Sequence, residues 1–161
     1  MPRDELRRDE ERPGLTEALE AMEPPSRRKV TLAWNGEDVA RAIGTLFSKD
    51  DEAVKYIDWP LSNYSTWPND RVMAGDHVVG VSTFSGYSYN ERSFLSLAIV
   101  DNDAELGNEV TLVWGEENGG SAKPVVERHV QAEIRAIVSP CPYSEVARTS
   151  YAPGWRTKAA V

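Results

Sequence analysis

Glu127-Arg-His-Val-Gln-Ala-Glu-Ile-Arg-Ala-Ile-Val138 decides the fold. Together with Val126, the residues Val130, Ala132, Ile134, Ala136 and Val138 fall on one parity, and Glu127, His129, Gln131, Glu133 and Arg135 fall on the other. Successive side chains of a strand point to opposite faces. The period of two therefore predicts the longest strand of the chain, with one face in a core and the other towards solvent or an interface.

Upstream of this stretch the pattern stays extended. Asn118-Gly119-Gly120 reads as a turn, Asn108 to Trp114 alternates, and Phe94 to Val100 is a short apolar run. Gly75-Asp76 separates Arg71-Val72-Met73 from His77-Val78-Val79-Gly80-Val81, the signature of a hairpin. Several antiparallel strands with Gly-rich turns predict a mainly β fold, a small antiparallel β-barrel or jelly-roll-like domain over residues 71–151, because closing the sheet removes exposed edges.

An α+β lead with one or two helices precedes it. Val30, Leu32 and Trp34 alternate with Lys29, Thr31 and Ala33, which predicts a strand. Asn35 then offers an N-cap, Glu37 and Asp38 suit the positive end of a helix dipole, and Val39, Ala42, Ile43, Leu46 and Phe47 mark one helical face over Asn35 to Phe47. Tyr56, Trp59, Tyr64 and Trp67, set among Pro60, Asn63, Pro68 and Asn69, read as a packed loop, so 29–70 is expected to be a strand-helix-loop connection, the tail of a preceding domain. Residues 1–28 form a charged lead whose Leu15, Ala18, Leu19 and Met22 lie on one face of a short helix stopped by Pro24-Pro25. Residues 152–161 are a tail carrying Trp155, Arg156 and Lys158.

Composition excludes whole classes of function. The 161 residues carry a formal net charge of -8, and the pI near 4.8 argues against nucleic acid, which needs a basic face. No apolar run reaches the length that spans a bilayer, and the start of the chain alternates Arg with Asp and Glu where a signal peptide would be apolar, so a cytoplasmic protein is expected. Cys141 is the only cysteine, which rules out an internal disulfide or a CxxC zinc pair. His77 and His129 alone do not make a metal site. Neither GxxxxGK[ST] nor GxGxxG occurs.

The order of several segments resembles a known family. Asp76-His-Val-Val-Gly80-Val-Ser-Thr-Phe-Ser85, then Leu95-Ser-Leu-Ala-Ile-Val100 and Gly107-Asn-Glu-Val110, resemble the C-terminal barrel domain of the aminomethyltransferase (glycine-cleavage T-protein) family. Within it, Val30-Thr-Leu-Ala-Trp34-Asn-Gly-Glu-Asp38, Pro60-Leu-Ser-Asn-Tyr64, Ser85-Gly-Tyr-Ser-Tyr-Asn-Glu-Arg92, Trp114-Gly-Glu-Glu-Asn-Gly-Gly120 and His129-Val-Gln-Ala-Glu-Ile-Arg135 are similar to the O-demethylases acting on vanillate, 3-O-methylgallate or syringate. The resemblance implies tetrahydrofolate as cofactor and a methoxy-aromatic substrate. It also implies N-terminal folate- and substrate-binding domains as partners, in cis in relatives or in trans here. The expectation is a chain lacking the part that performs the chemistry, and therefore inactive alone. A non-catalytic barrel module pairing with a separately encoded half is the alternative, for which Met1 and the charged lead would suit independent translation.

Ser85 to Arg92 is the most site-like stretch. Tyr87 offers a ring to stack on a pterin, Asn90 supplies an amide, and Arg92 pairs with a glutamate carboxylate in the cofactor-binding reading. In the structural reading the same loop connects two strands and its tyrosines brace the barrel. His129, Glu133 and Arg135 are expected to share a strand face as a charged row, and no residue completes a catalytic constellation. Trp34, Trp59, Trp67 and Trp114 are expected in the core or an interface. Cys141, between Pro140 and Pro142, is expected to be structural.

Overall fold

The alternation around Val30, Leu32 and Trp34 becomes strand β1, Arg27–Trp34, in a computed structural model that describes residues 25–49, 52–57, 69–119 and 127–151. Helix α1, Gly36–Thr45, follows at once. The Asn35 side chain accepts hydrogen bonds from the backbone N–H groups of Glu37 and Asp38 at 3.0 and 3.1 Å, satisfying donors that a helix start leaves over. The remaining strands are β2 (Asp70–Ala74), β3 (His77–Ser88), β4 (Ser93–Asp101), β5 (Glu109–Trp114) and β6 (Ala132–Ser139). A short π-helical turn, Ala147–Tyr151, ends the described chain.

All six strands pair antiparallel and close into a barrel in the order β1-β4-β3-β2-β5-β6. The mainly β barrel read from the sequence is what forms, with two differences. Residues 71–151 do not close it alone, because β1 stands between β4 and β6, with Val30 opposite Ala98 and Leu32 opposite Val138. The longest strand is β3, not the one quoted above. The alternation before Ala132 belongs to a stretch where Val130 makes only an isolated parallel bridge with Val54, so the ladder stops short of Val126. The helix expected at Leu15 to Met22, together with Trp59, Trp67 and Trp155, lies outside the described residues.

Val30, Leu32, Val72, Val100, Leu112, Ile134 and Val138 fill the barrel. Trp34 and Trp114 close one end, their rings 5.5 Å apart and edge-on, with Phe94 4.7 Å from Trp34. A bulge between Ser82 and Phe84 turns Ser82 and Ser85 inward together. Ser96 accepts the Trp34 indole N–H at 3.0 Å and bonds the Ser82 hydroxyl at 2.8 Å, so the buried indole is satisfied. Gly80 lies where a Cβ would sit 2.4 Å from the Ile99 carbonyl oxygen, a contact only glycine tolerates.

The antiparallel order brings the ends of β1, β3 and β5 and the starts of β2, β4 and β6 to the same rim, and α1 lies across it. Asp38 fixes the helix there. Arg135 of β6 donates from Nε and Nη2 to the two Asp38 carboxylate oxygens at 2.8 and 3.0 Å, and its backbone N–H adds a bond of 2.9 Å. Arg41 supplies another at 2.9 Å, and the Asn35 N–H donates to the Arg135 carbonyl at 2.7 Å. The Arg135 guanidinium bonds, reinforced by its backbone N–H and by Arg41, hold the Asp38 carboxyl well below the usual carboxylate range despite burial.

A carboxylate with a depressed folded-state pKa stabilises the fold above its unfolded value, near pH 4, and loses that contribution as pH falls towards the folded value. Asp38→Asn should therefore melt below the wild type at pH 7. The gap should narrow progressively below about pH 4 in thermal unfolding followed by circular dichroism.

Candidate functional site

Two features meet at the α1 rim. The first is a cleft of about 480 Å³ between α1 and the end of the β3–β4 hairpin. Trp34, Tyr87 and Phe94 form its aromatic floor, Val39 and Ile43 its helical wall, and Arg92 and Phe47 its mouth. Phe47 is 83% exposed, although its spacing had placed it on the packed helical face. Its position just beyond the last helical residue, Thr45, swings it off that face.

Tyr89 to Arg92 form the turn of the hairpin. The Glu91 N–H reaches the Ser88 hydroxyl at 3.4 Å, and the Ser93 hydroxyl donates to the Glu91 carbonyl at 3.1 Å. Arg92 takes a φ of 52°, the left-handed region that side chains other than glycine rarely occupy, and its guanidinium stacks 3.8 Å above the Tyr89 ring. The stretch Ser85 to Arg92 is thus half strand and half turn. Tyr87 and Arg92 share the cleft, whereas Asn90 stands exposed in the turn outside its lining.

The second feature is a buried polar cluster over β2, β5 and β6. Lys55 is 1% exposed. Its ammonium lies 3.2 Å from Glu116, 3.9 Å from Asp70 and 4.8 Å from the centre of the Trp114 ring. The Trp114 indole donates to the Lys55 carbonyl at 2.9 Å, and the Asp70 carboxylate accepts the Gly115 N–H at 3.0 Å. His129 Nε2 lies 3.0 Å from both the backbone nitrogen and the Oε2 of Glu116, and its Nδ1 lies 2.8 Å from the Glu127 carbonyl oxygen. Gly115 has a φ of 106° and passes so close to the His129 ring that a Cβ would sit 3.0 Å from it.

The expected row of His129, Glu133 and Arg135 does not form. His129 precedes β6 and is buried, Arg135 is clamped to Asp38, and Glu133 is exposed. Sequence reading missed the Lys55 cluster because its members come from four separated segments with no shared period. Asp70 is the first residue of β2, and only the folded chain brings it to the Gly115 turn. Trp34 and Trp114 are core residues as expected, and Cys141 is half-buried and unpaired. Among the described residues no helix is long and apolar enough to cross a membrane.

No family model matches the chain. Its barrel and helix are nonetheless homologous to one part of an O-demethylase. The chain is 51% identical over 146 residues to the "Syringate O-demethylase" of Sphingobium sp. (strain NBRC 103272 / SYK-6), a match covering 89% of this chain and 31% of that protein. It is 30% identical over 131 residues to the "Sesamin methylene transferase" of Sinomonas sp. (strain No.22), covering 75% of this chain and 27% of that protein. The likeness to the O-demethylases read from the residues is borne out, and the chain spans about a third or less of the length of the relatives it matches.

Two substitutions separate packing from strain. Lys55→Ala removes a buried cation from beside Glu116 and Asp70 and should lower unfolding free energy in urea by about 3 kcal/mol. Arg92→Gly relieves the left-handed backbone, a gain of about 1 kcal/mol, against loss of an exposed cation–π contact of about 0.5 kcal/mol. Its urea midpoint should equal or exceed that of the wild type.

Proposed function

We propose that this chain is the C-terminal, barrel-forming part of a tetrahydrofolate-dependent aryl O-demethylase. It would work with N-terminal folate- and substrate-binding domains, joined in cis in relatives or supplied in trans here. The observation that carries the reading is the 51% identity to syringate O-demethylase over 89% of the chain. The second relative also bears a name for one-carbon transfer, from a different donor.

The cleft fits the implied cofactor in chemistry, since an aromatic floor suits a flat ring and a guanidinium at the mouth suits a carboxylate. When bound, tetrahydrofolate supplies the nitrogen that accepts the methyl group. Tyr87 would stack on its rings, Arg92 would pair with its glutamate carboxylate, and Asn90 would bond the part extending beyond the mouth. Val39, Ile43 and Phe94 would keep water from the buried face. The left-handed Arg92 supports this assignment, because strain retained at one residue is a common mark of a functional position.

Release of a phenol from an aryl methyl ether also needs an acid aimed at the ether oxygen. The candidates at this rim, Lys55, Glu116 and His129, are engaged with one another and do not line the cleft. Turnover therefore requires residues from the partner domains, and the chain alone should be inert. A reduced, cytoplasmic setting fits the unpaired Cys141.

The test mixes this chain with the portion of syringate O-demethylase outside the matched region and follows syringate and tetrahydrofolate. Demethylation should appear in the mixture and in neither part alone. Arg92→Ala should weaken folate binding to the mixture at least about tenfold, the worth of one charge-assisted pair. A folded complex without turnover would favour the accessory-module reading.

A further inference from the structure

Strands β3 and β4 are apolar on both sides of the barrel wall. Facing inward, Phe94 and Val100 enter the core beside the small residues Gly80, Ser82, Ser85, Ser96 and Ala98. Facing outward, Val81 pairs with Ile99 and Phe84 pairs with Leu97. Phe84 is 53% exposed and Ile99 48% exposed. A strand with aliphatic side chains on both faces is the pattern of one covered on both faces, and an apolar patch rimmed by polar groups marks an interaction surface.

The rim has a sign. Lys29 lies beside Ile99 across the β1–β4 pairing and Arg71 beside Val81 across the β2–β3 pairing, so one outward row reads Lys29, Ile99, Val81, Arg71. Among the described residues neither cation is in an ion pair, in a chain whose net charge is -8. The Cys141–Tyr143 segment covers only one edge of the patch, leaving a groove of about 450 Å³ beside Phe84 and Leu97.

We propose that this outer wall of β3 and β4 docks the part of an O-demethylase polypeptide that the chain does not represent, through an aliphatic surface edged by carboxylates. The inference rests on the functional reading above. The chain covers 31% of the relative it matches at 51% identity, so more than two thirds of that protein lies outside this barrel. Tyr87 lines both the cleft and the groove, so a partner seated on the wall would touch a residue of the candidate site.

The experiment measures association of the full chain with the unmatched portion of syringate O-demethylase by sedimentation, with hydrogen exchange recorded on the same mixture. Wild type should bind and gain protection at β3 and β4. Phe84→Asp and Ile99→Asp, each checked by its own melting curve, should weaken association at least tenfold, and the double variant Lys29→Glu/Arg71→Glu should weaken it most at low salt. Thr111→Asp, on the outer face of β5, should bind like wild type. Equal binding by Ile99→Asp and Phe84→Asp overturns the proposal, as does dimerisation of the chain through this patch that Ile99→Asp abolishes without affecting association. Association without demethylation sinks the functional reading and leaves the docking surface standing, whereas demethylation indifferent to the wall substitutions does the reverse.

Discussion

β1 is hydrogen-bonded along both edges, to β4 on one side and β6 on the other, and the barrel exists only because of that double pairing. Without it β4 and β6 would present open edges, and the interior that now buries Leu32 and Val138 against each other would face water. The pairing also sets where the chain goes next. Because Trp34 sits at the rim opposite Ala136, the helix capped by Asn35 begins beside β6, within reach of Arg135. The bidentate contact between Asp38 and Arg135 follows from that closure and turns a short helix, marginal by itself, into a fixed lid.

With the lid in place, aromatic, cationic and acidic groups of the described residues gather at this rim. Trp34 and Trp114 join its halves: one indole floors the cleft below α1, and the other packs under the ammonium of Lys55. The polar cluster is a structural tie. It holds the segment around Lys55 to the ends of β2 and β5, as the bonds from Trp114 to the Lys55 carbonyl and from Gly115 to Asp70 require. The cleft is different, since its mouth carries a strained arginine and an exposed phenylalanine that the barrel does not need for its own packing.

The fold was legible where local signals were strong. Alternation located β1 and β5, a short apolar run located β4, Gly75 marked the β2–β3 turn, and Asn35 with its acidic followers fixed the start of α1. Partnership was less legible, because a period of two reveals that a strand has a buried face and says nothing of its neighbours. Hence β1 read as part of a connection although it closes the sheet. Arg135 and His129 looked equivalent by parity, yet one reaches out to a helix and the other is buried before the strand begins. Tyr87 and Arg92 were findable because aromatic and cationic residues flank a glycine in one short run. Lys55 was not, because burial of its charge depends on three segments distant in sequence.

The small residues on the inner side of β3 and β4 follow from how the barrel is filled. Two indoles and Phe94 occupy the rim end of the interior, and β3 approaches β4 so closely at Gly80 that no side chain fits. Small residues are what the remaining space admits, and two of the serines there are satisfied, Ser82 by bonding Ser96 and Ser96 by also accepting the Trp34 indole N–H. The internal core thus accounts for the inward side of both strands. It gives no reason for Val81, Phe84, Leu97 and Ile99 on the outward side, where polar residues would keep an isolated barrel soluble at no cost to its packing. A neighbour seated on this wall would supply the reason, and the two cations beside these residues would give it a preferred charge.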